Sequence, residues 1–80
     1  MKTALITGAS RGIGNAIALQ LKSEGYRVLG TATSTAGASK LEEEGIEGLV
    51  LDLNSVESKE QLWEQIEKKE IKISVLVNNA

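Results

Sequence analysis

The stretch of this chain best equipped for chemistry is Thr7-Gly8-Ala9-Ser10-Arg11-Gly12-Ile13-Gly14, and the chemistry it suits is the holding of an anion. It follows the apolar run Ala4-Leu5-Ile6 and precedes an amphipathic segment, so a buried strand must turn sharply into a helix. The first amides of a helix have no partner within it, and the helix dipole places partial positive charge at the same end. A pyrophosphate suits such a corner. Gly8 permits the tight turn, Gly12 removes the Cβ that would block a ligand, and Gly14 lets the helix lie close to the sheet. Glycine-rich turns without a ligand are the plain alternative, but a strand before and an amphipathic helix after supply the context that a nucleotide site requires.

Residues further along bear on which nucleotide. In dinucleotide sites of this design an Asp or Glu about 20 residues beyond the glycines accepts hydrogen bonds from a ribose 2'-hydroxyl. From Tyr26 through Ser39 no carboxylate occurs, and the second apolar run ends in Gly30-Thr31-Ala32-Thr33-Ser34. Hydroxyls such as that of Thr33 can donate to a 2'-phosphate, which a carboxylate would repel, and Arg11 adds a charge-assisted fork from the glycine turn. The expected cofactor is therefore NADP(H). For Arg11 the alternative is a solvated loop arginine with no ligand.

Composition narrows the field of functions. The chain has 80 residues, 41% hydrophobic and 25% charged, which describes a globular segment, neither disordered nor membrane-spanning. Nine basic and 11 acidic residues give a net charge of -2, and the basic ones are scattered, so nucleic acid is not an expected partner. Without cysteine or histidine there is no disulfide and no expected zinc site. No apolar run reaches the ~18 residues of a membrane span, and Met1-Lys2-Thr3 leads directly into the first strand with no room for a signal peptide; no membrane partner and a cytoplasmic location are expected. Single α/β domains commonly run to ~200–250 residues, and this chain ends inside an apolar strand pattern, so 1–80 reads as part of a dinucleotide-binding domain.

The elements that must position these residues alternate. The pattern predicts strands over Thr3–Thr7, Arg27–Ala32, Glu47–Leu53 and Ile73–Asn78, the third with the continuous apolar run Leu49-Val50-Leu51 of a sheet covered on both faces. Helices are predicted over Ile13–Glu24, Ser39–Glu44 and Ser55–Lys69, the first two ended by Gly25 and Gly45. Ile13, Ile17 and Leu21 form the expected buried stripe of the first helix, and Leu62 and Ile66 that of the third. Asn54 or Ser55 caps the third helix, Trp63 packs beside its stripe, and Glu64 and Lys68 stand at pairing distance on its solvated face. Four strands alternating with three helices imply a parallel sheet with right-handed crossovers. Tyr26 stands at the entrance to the second strand as a packing residue.

Two motifs in order, the T-G-x-x-x-G-x-G turn and the block Ile73-Ser74-Val75-Leu76-Val77-Asn78-Asn79-Ala80, make the chain similar to the short-chain dehydrogenase/reductase family along its whole length. The second block is similar to that family's strand ending in Asn-Asn-Ala-Gly. The resemblance implies a doubly wound Rossmann-type α/β fold of order β-α-β-α-β-α-β and strand order 3-2-1-4. The first two helices would lie on one face and the third on the other, leaving that second face thinly covered and the fourth strand as an open edge. It also implies that Gly8, Ala9, Ser10, Arg11, Gly12, Ile13 and Gly14 hold phosphate and ribose oxygens. Asp52 and Leu53 would contact the adenine region, Asn79 would line the ribose, and Asn78 would tie strand ends together.

The activity implied is hydride transfer between the nicotinamide and a carbonyl or alcohol. Family members use a Tyr-x-x-x-Lys pair with a serine and a further asparagine, none of which can be placed here: Tyr26 has Gly30 four residues later. No catalytic residue is therefore expected within the chain. The turn, the Gly30–Ser34 segment and the Leu76–Ala80 end are similar to those of reductases that act on 3-oxoacyl groups held on acyl carrier protein in fatty acid synthesis. Such a substrate, and a homotetramer for the complete protein, are implied. Another carbonyl or alcohol substrate, or a non-catalytic nucleotide-binding module, remain the alternatives.

Overall fold

The computed structural model describes residues 2–52 and 54–79. Among them strands and helices alternate strictly: β1 (Thr3–Ile6), α1 (Gly12–Ser23), β2 (Arg27–Ala32), α2 (Thr35–Glu43), β3 (Glu47–Val50), α3 (Val56–Lys68) and β4 (Val75–Val77). The strands form one parallel sheet in the order β3-β2-β1-β4, the Rossmann-type arrangement that the sequence leads one to expect. Leu5 of β1 stands at the centre, in register with Leu29 on one side and Leu76 on the other.

Side chains alternate between faces along a strand, and the core divides accordingly. Ala4, Ile6 and Val28 pack with Ala18 and Leu41 under α1 and α2, whereas Leu5, Leu29 and Leu51 pack with Leu62 and Ile66 of α3. Leu5, Ile6, Leu29, Leu41 and Ile46 are the largest fully buried side chains. Burying each contributes roughly 1.5–3 kcal/mol, so these five dominate the apolar stabilisation of so short a chain. The two faces are unequal. On the α3 side Leu76 and Trp63 stay 55% and 45% exposed, and Leu5, Leu51, Leu62, Trp63 and Leu76 line an open groove of about 170 Å³.

Several local expectations are corrected. Of the expected stripe of α1, Ile17 and Leu21 pack against the core with Gly14 and Ala18 buried beside them, but Ile13 is 74% exposed. Gly14 lets the helix approach the sheet as expected, and that close approach at Gly14 and Ala18 leaves Ile13, at the helix start, outside. α2 begins four residues earlier than Ser39, because Ser34 caps it by accepting from the Gly37 amide at 3.2 Å. Both outer strands are shorter than the apolar runs that suggested them. Beyond β3, the Leu51 amide still donates to the Ala32 carbonyl, but the Asp52 amide turns to the Ser58 hydroxyl at 2.9 Å. Ser55, of the two candidates, caps α3. Trp63 is half-exposed, and Glu64 and Lys68 make no ion pair; among the described residues the one ion pair is Arg27–Glu47 at 2.6 Å. No helix among the described residues is long and apolar enough to cross a membrane.

Candidate functional site

β1 delivers the chain to the turn with every one of its residues buried, and Thr7 then ties the turn to β4. The Thr7 amide donates to the Val77 carbonyl at 3.0 Å, the Thr7 hydroxyl donates toward Asn78 Oδ1 at 3.3 Å, and it accepts from the Asn79 amide at 2.9 Å. Asn79 Nδ2 donates onward to the Gly8 carbonyl at 3.2 Å. The two sequence motifs, 71 residues apart, are thus joined at the ends of adjacent parallel strands. That is where open α/β sheets bind ligands.

On the other side the turn is held by β2. Thr31 accepts the Gly8 amide on its side-chain oxygen at 3.1 Å and the Ala9 amide on its carbonyl at 2.8 Å. Ala9 is fully buried, and its carbonyl accepts from Asn15 Nδ2 at 3.0 Å, so Ala9 fixes the turn's path from within the core. Asn15 also donates to Glu44 at 2.9 Å, linking α1 to the end of α2. Sequence reasoning did not select Thr31 or Asn15. Thr31 carried a faint signal, since alternation from Leu29 places it inward.

The glycines behave differently from one another. Gly8 and Gly12 both have φ of +64°, the left-handed region that disfavours side chains. A Cβ built on Gly12 meets nothing within 4 Å, so that side of the turn is open space. Gly14 is the reverse: a Cβ there would collide with the Gly8 carbonyl and the Asn79 side-chain amide. Its bareness makes room for the bond between the two motifs, a role beyond the close helix packing expected of it.

Next to the turn lies a cleft of about 210 Å³ lined by Gly8, Ser10, Arg11, Thr31, Ala32, Thr33 and Leu51. Arg11 precedes α1 in an extended conformation, its side chain makes no capping bond, and the first turn of α1 carries no acidic residue. The helix therefore starts with open amides, a positive dipole end and a guanidinium, without a counter-charge among the described residues. The cleft lining contains hydroxyls and a cation and no carboxylate. Lys40, also not selected from the sequence, donates from Nζ to the Ser10 carbonyl at 2.7 Å across 30 residues.

The remaining expected residues stand apart. Ile13 is exposed beside the helix start. Asp52 is exposed and follows Leu51 in the chain, with its Oδ1 accepting from the Asn54 amide at 2.9 Å; it is not among the residues that line the cleft. Leu53 lies outside the described residues. A dinucleotide fits this donor set: bare glycine at the amide corner, hydroxyls and a guanidinium at the neighbouring cleft, and apolar Leu51 as a wall for an aromatic base.

Comparison with known proteins agrees with this geometry. The family model described as short chain dehydrogenase matches residues 2–80. The 3-oxoacyl-[acyl-carrier-protein] reductase FabG of Pseudomonas aeruginosa is 51% identical, with 99% of this chain and 34% of the relative covered. The proteins of the same name from Haemophilus influenzae and Escherichia coli are 49% and 44% identical, again over 99% of this chain and 34% of the relative. The chain spans about a third of the length of the curated relatives it matches.

Proposed function

The chain belongs to the short-chain dehydrogenase family, and on that footing we propose that it is the cofactor-holding part of an NADP(H)-dependent reductase whose substrate is a 3-oxoacyl group on acyl carrier protein. The observation that carries the cofactor reading is the cleft beside the glycine turn, where Arg11 and the hydroxyls of Ser10, Thr31 and Thr33 gather without a carboxylate. A 2'-phosphate finds donors there, whereas a free ribose 2'-hydroxyl lacks its usual carboxylate acceptor.

In this reading the open amides at the start of α1 bind the pyrophosphate, with Gly8 and Gly12 keeping side chains out of its path. Arg11 and Thr33 bind the 2'-phosphate, Leu51 and Asp52 border the adenine, and Asn79 orients the ribose while its side chain holds Gly8. The reduced nicotinamide, when bound, supplies a hydride to the carbonyl carbon. The proton and the groups that move it belong to residues outside this chain.

The substrate reading rests on the names of the relatives, which covers a class of proteins three times as long. Its test is reduced-nicotinamide consumption by the complete protein with an acetoacetyl thioester. Turnover of the thioester with NADPH is expected. Turnover of a sugar or steroid carbonyl alone would contradict the substrate, and nucleotide binding without any turnover would favour a non-catalytic module.

A further inference from the structure

Lys40 has no part in the family resemblance, yet the fold brings its ammonium to the backbone of Ser10, a residue that lines the cleft. It lies on α2, one turn beyond Gly37, and α2 lies beside the glycine turn: a Cβ on Gly37 would lie 3.5 Å, in ordinary contact, from both Cβ and Oγ of Ser10. From there Lys40 Nζ reaches the Ser10 carbonyl at 2.7 Å, and Ser10 lines the cleft together with Arg11 and Thr33.

The charge of Lys40 is not compensated. Among the described residues no carboxylate stands within ion-pair distance of it, although Glu43 ends the same helix and Glu44 caps it; Glu44 instead accepts from Asn15. An ammonium has three donors and the Ser10 carbonyl takes one. Two cations, Lys40 on the Ser10 carbonyl and Arg11 next to Ser10 in the chain, thus have no anionic partner among the described residues. The flexible four-carbon stem of lysine lets the ammonium move from a carbonyl to a phosphate oxygen without backbone rearrangement.

We infer that Lys40 is a specificity-determining residue for the coenzyme, the second cation of the 2'-phosphate site, held ready by the Ser10 carbonyl. The inference rests on the reading of the cleft as an NADP(H) site and adds a residue to it. Lys40 acts on the phosphate that distinguishes the two nicotinamide coenzymes, so its effect falls on one of them. A lysine that only braced the turn would affect both.

The test is equilibrium titration of the complete protein carrying this chain with NADPH and with NADH, for the wild type, Lys40→Gln and Lys40→Arg. Glutamine keeps an amide donor near Ser10 and removes the charge. Expected for Lys40→Gln is a roughly tenfold weaker NADPH affinity, the scale of one charge-assisted hydrogen bond. NADH affinity should change less than about twofold, and the salt dependence of NADPH binding should become shallower. Lys40→Arg should keep the wild-type preference. Equal weakening of both coenzymes would overturn the inference in favour of a brace, as would an unchanged preference, while the cleft reading stands in either case. A wild type that binds neither coenzyme, or shows no preference, would overturn the cleft reading and this inference with it.

Discussion

Asn79 donates its side-chain amide to the Gly8 carbonyl at 3.2 Å, and that bond occupies the space a side chain on residue 14 would need. The end of β4 and the start of the glycine turn are therefore one unit. Gly14→Ala places a methyl against both groups, and because one of them is backbone, relief requires the turn itself to move. A destabilisation of about 1–3 kcal/mol is expected. In a domain of 60–100 residues each kcal/mol corresponds to a Tm lower by about 4–8 °C. Thermal unfolding of the complete protein, where the shift per kcal/mol is smaller, checks the direction. An unchanged Tm would mean that the two motifs are not joined in this way.

Gly12→Val separates backbone strain from contact. With φ at +64° the valine is strained by roughly 1–2 kcal/mol, yet no protein atom lies where its Cβ would go. The fold should survive with reduced stability while NADPH binding is lost, because the side chain enters the space proposed for the diphosphate. Circular dichroism together with a coenzyme titration distinguishes the two effects. Retained binding would remove Gly12 from the site.

Thr33→Asp tests the missing carboxylate. Thr33 is exposed on the cleft lining just past β2, so the substitution needs no repacking. A carboxylate there repels a 2'-phosphate and accepts from a 2'-hydroxyl, so preference should move from NADPH toward NADH by tenfold or more, about 1.4 kcal/mol or greater. The ratio of the two dissociation constants is the measurement, and an unmoved ratio would contradict the assignment of that corner.

The pair Arg27–Glu47 gives a pH dependence. The Arg27 guanidinium donates through Nε and Nη2 to the two Glu47 oxygens at 2.6 and 2.8 Å, which holds the Glu47 carboxyl below the usual range despite partial burial acting the other way. A carboxyl with a lower pKa in the folded state stabilises above its unfolded pKa, about 4.3, and that stabilisation is lost as pH falls through the folded value. Both side chains are 40% exposed, so solvent screening limits the effect to about 0–1 kcal/mol. Glu47→Gln should lower the Tm slightly at neutral pH, and the difference from wild type should shrink as pH falls below the unfolded carboxyl range. A difference that grows toward acid would reverse the sign and contradict the pairing.

Much of this architecture was legible because the relevant signals are local. Alternation of β and α patterns, the T-G-x-x-x-G-x-G turn and the left-handed glycines ending α1 and α2 all sit within a few residues of what they determine. Contacts that depend on tertiary approach were not legible. Ile13 has the spacing of a core residue, but α1 approaches the sheet through Gly14 and Ala18 and leaves it outside. Lys40 reaches a backbone carbonyl 30 residues away, and no pattern of residue types announces a backbone acceptor. Thr35 and Gly37 are weak helix formers, so residue propensities start α2 too late and its true beginning is set by the Ser34 cap.

The thinly covered α3 face predicts the behaviour of residues 1–80 as an isolated peptide. Leu76 and Trp63 are half-exposed on an apolar groove, and β4 is an edge strand. Such a peptide should bind an apolar dye and self-associate at micromolar concentration. Sedimentation showing a monomer with a cooperative thermal transition would contradict this.

The central claim is that amides at the start of α1 grip the diphosphate of a dinucleotide. Isotope-labelled complete protein titrated with NADPH reports on those amides directly. The largest chemical-shift changes should fall on Ser10 to Gly14 and on Thr33, with saturation at one coenzyme per chain. Changes confined to another part of the molecule, with these amides unmoved at saturation, would contradict it.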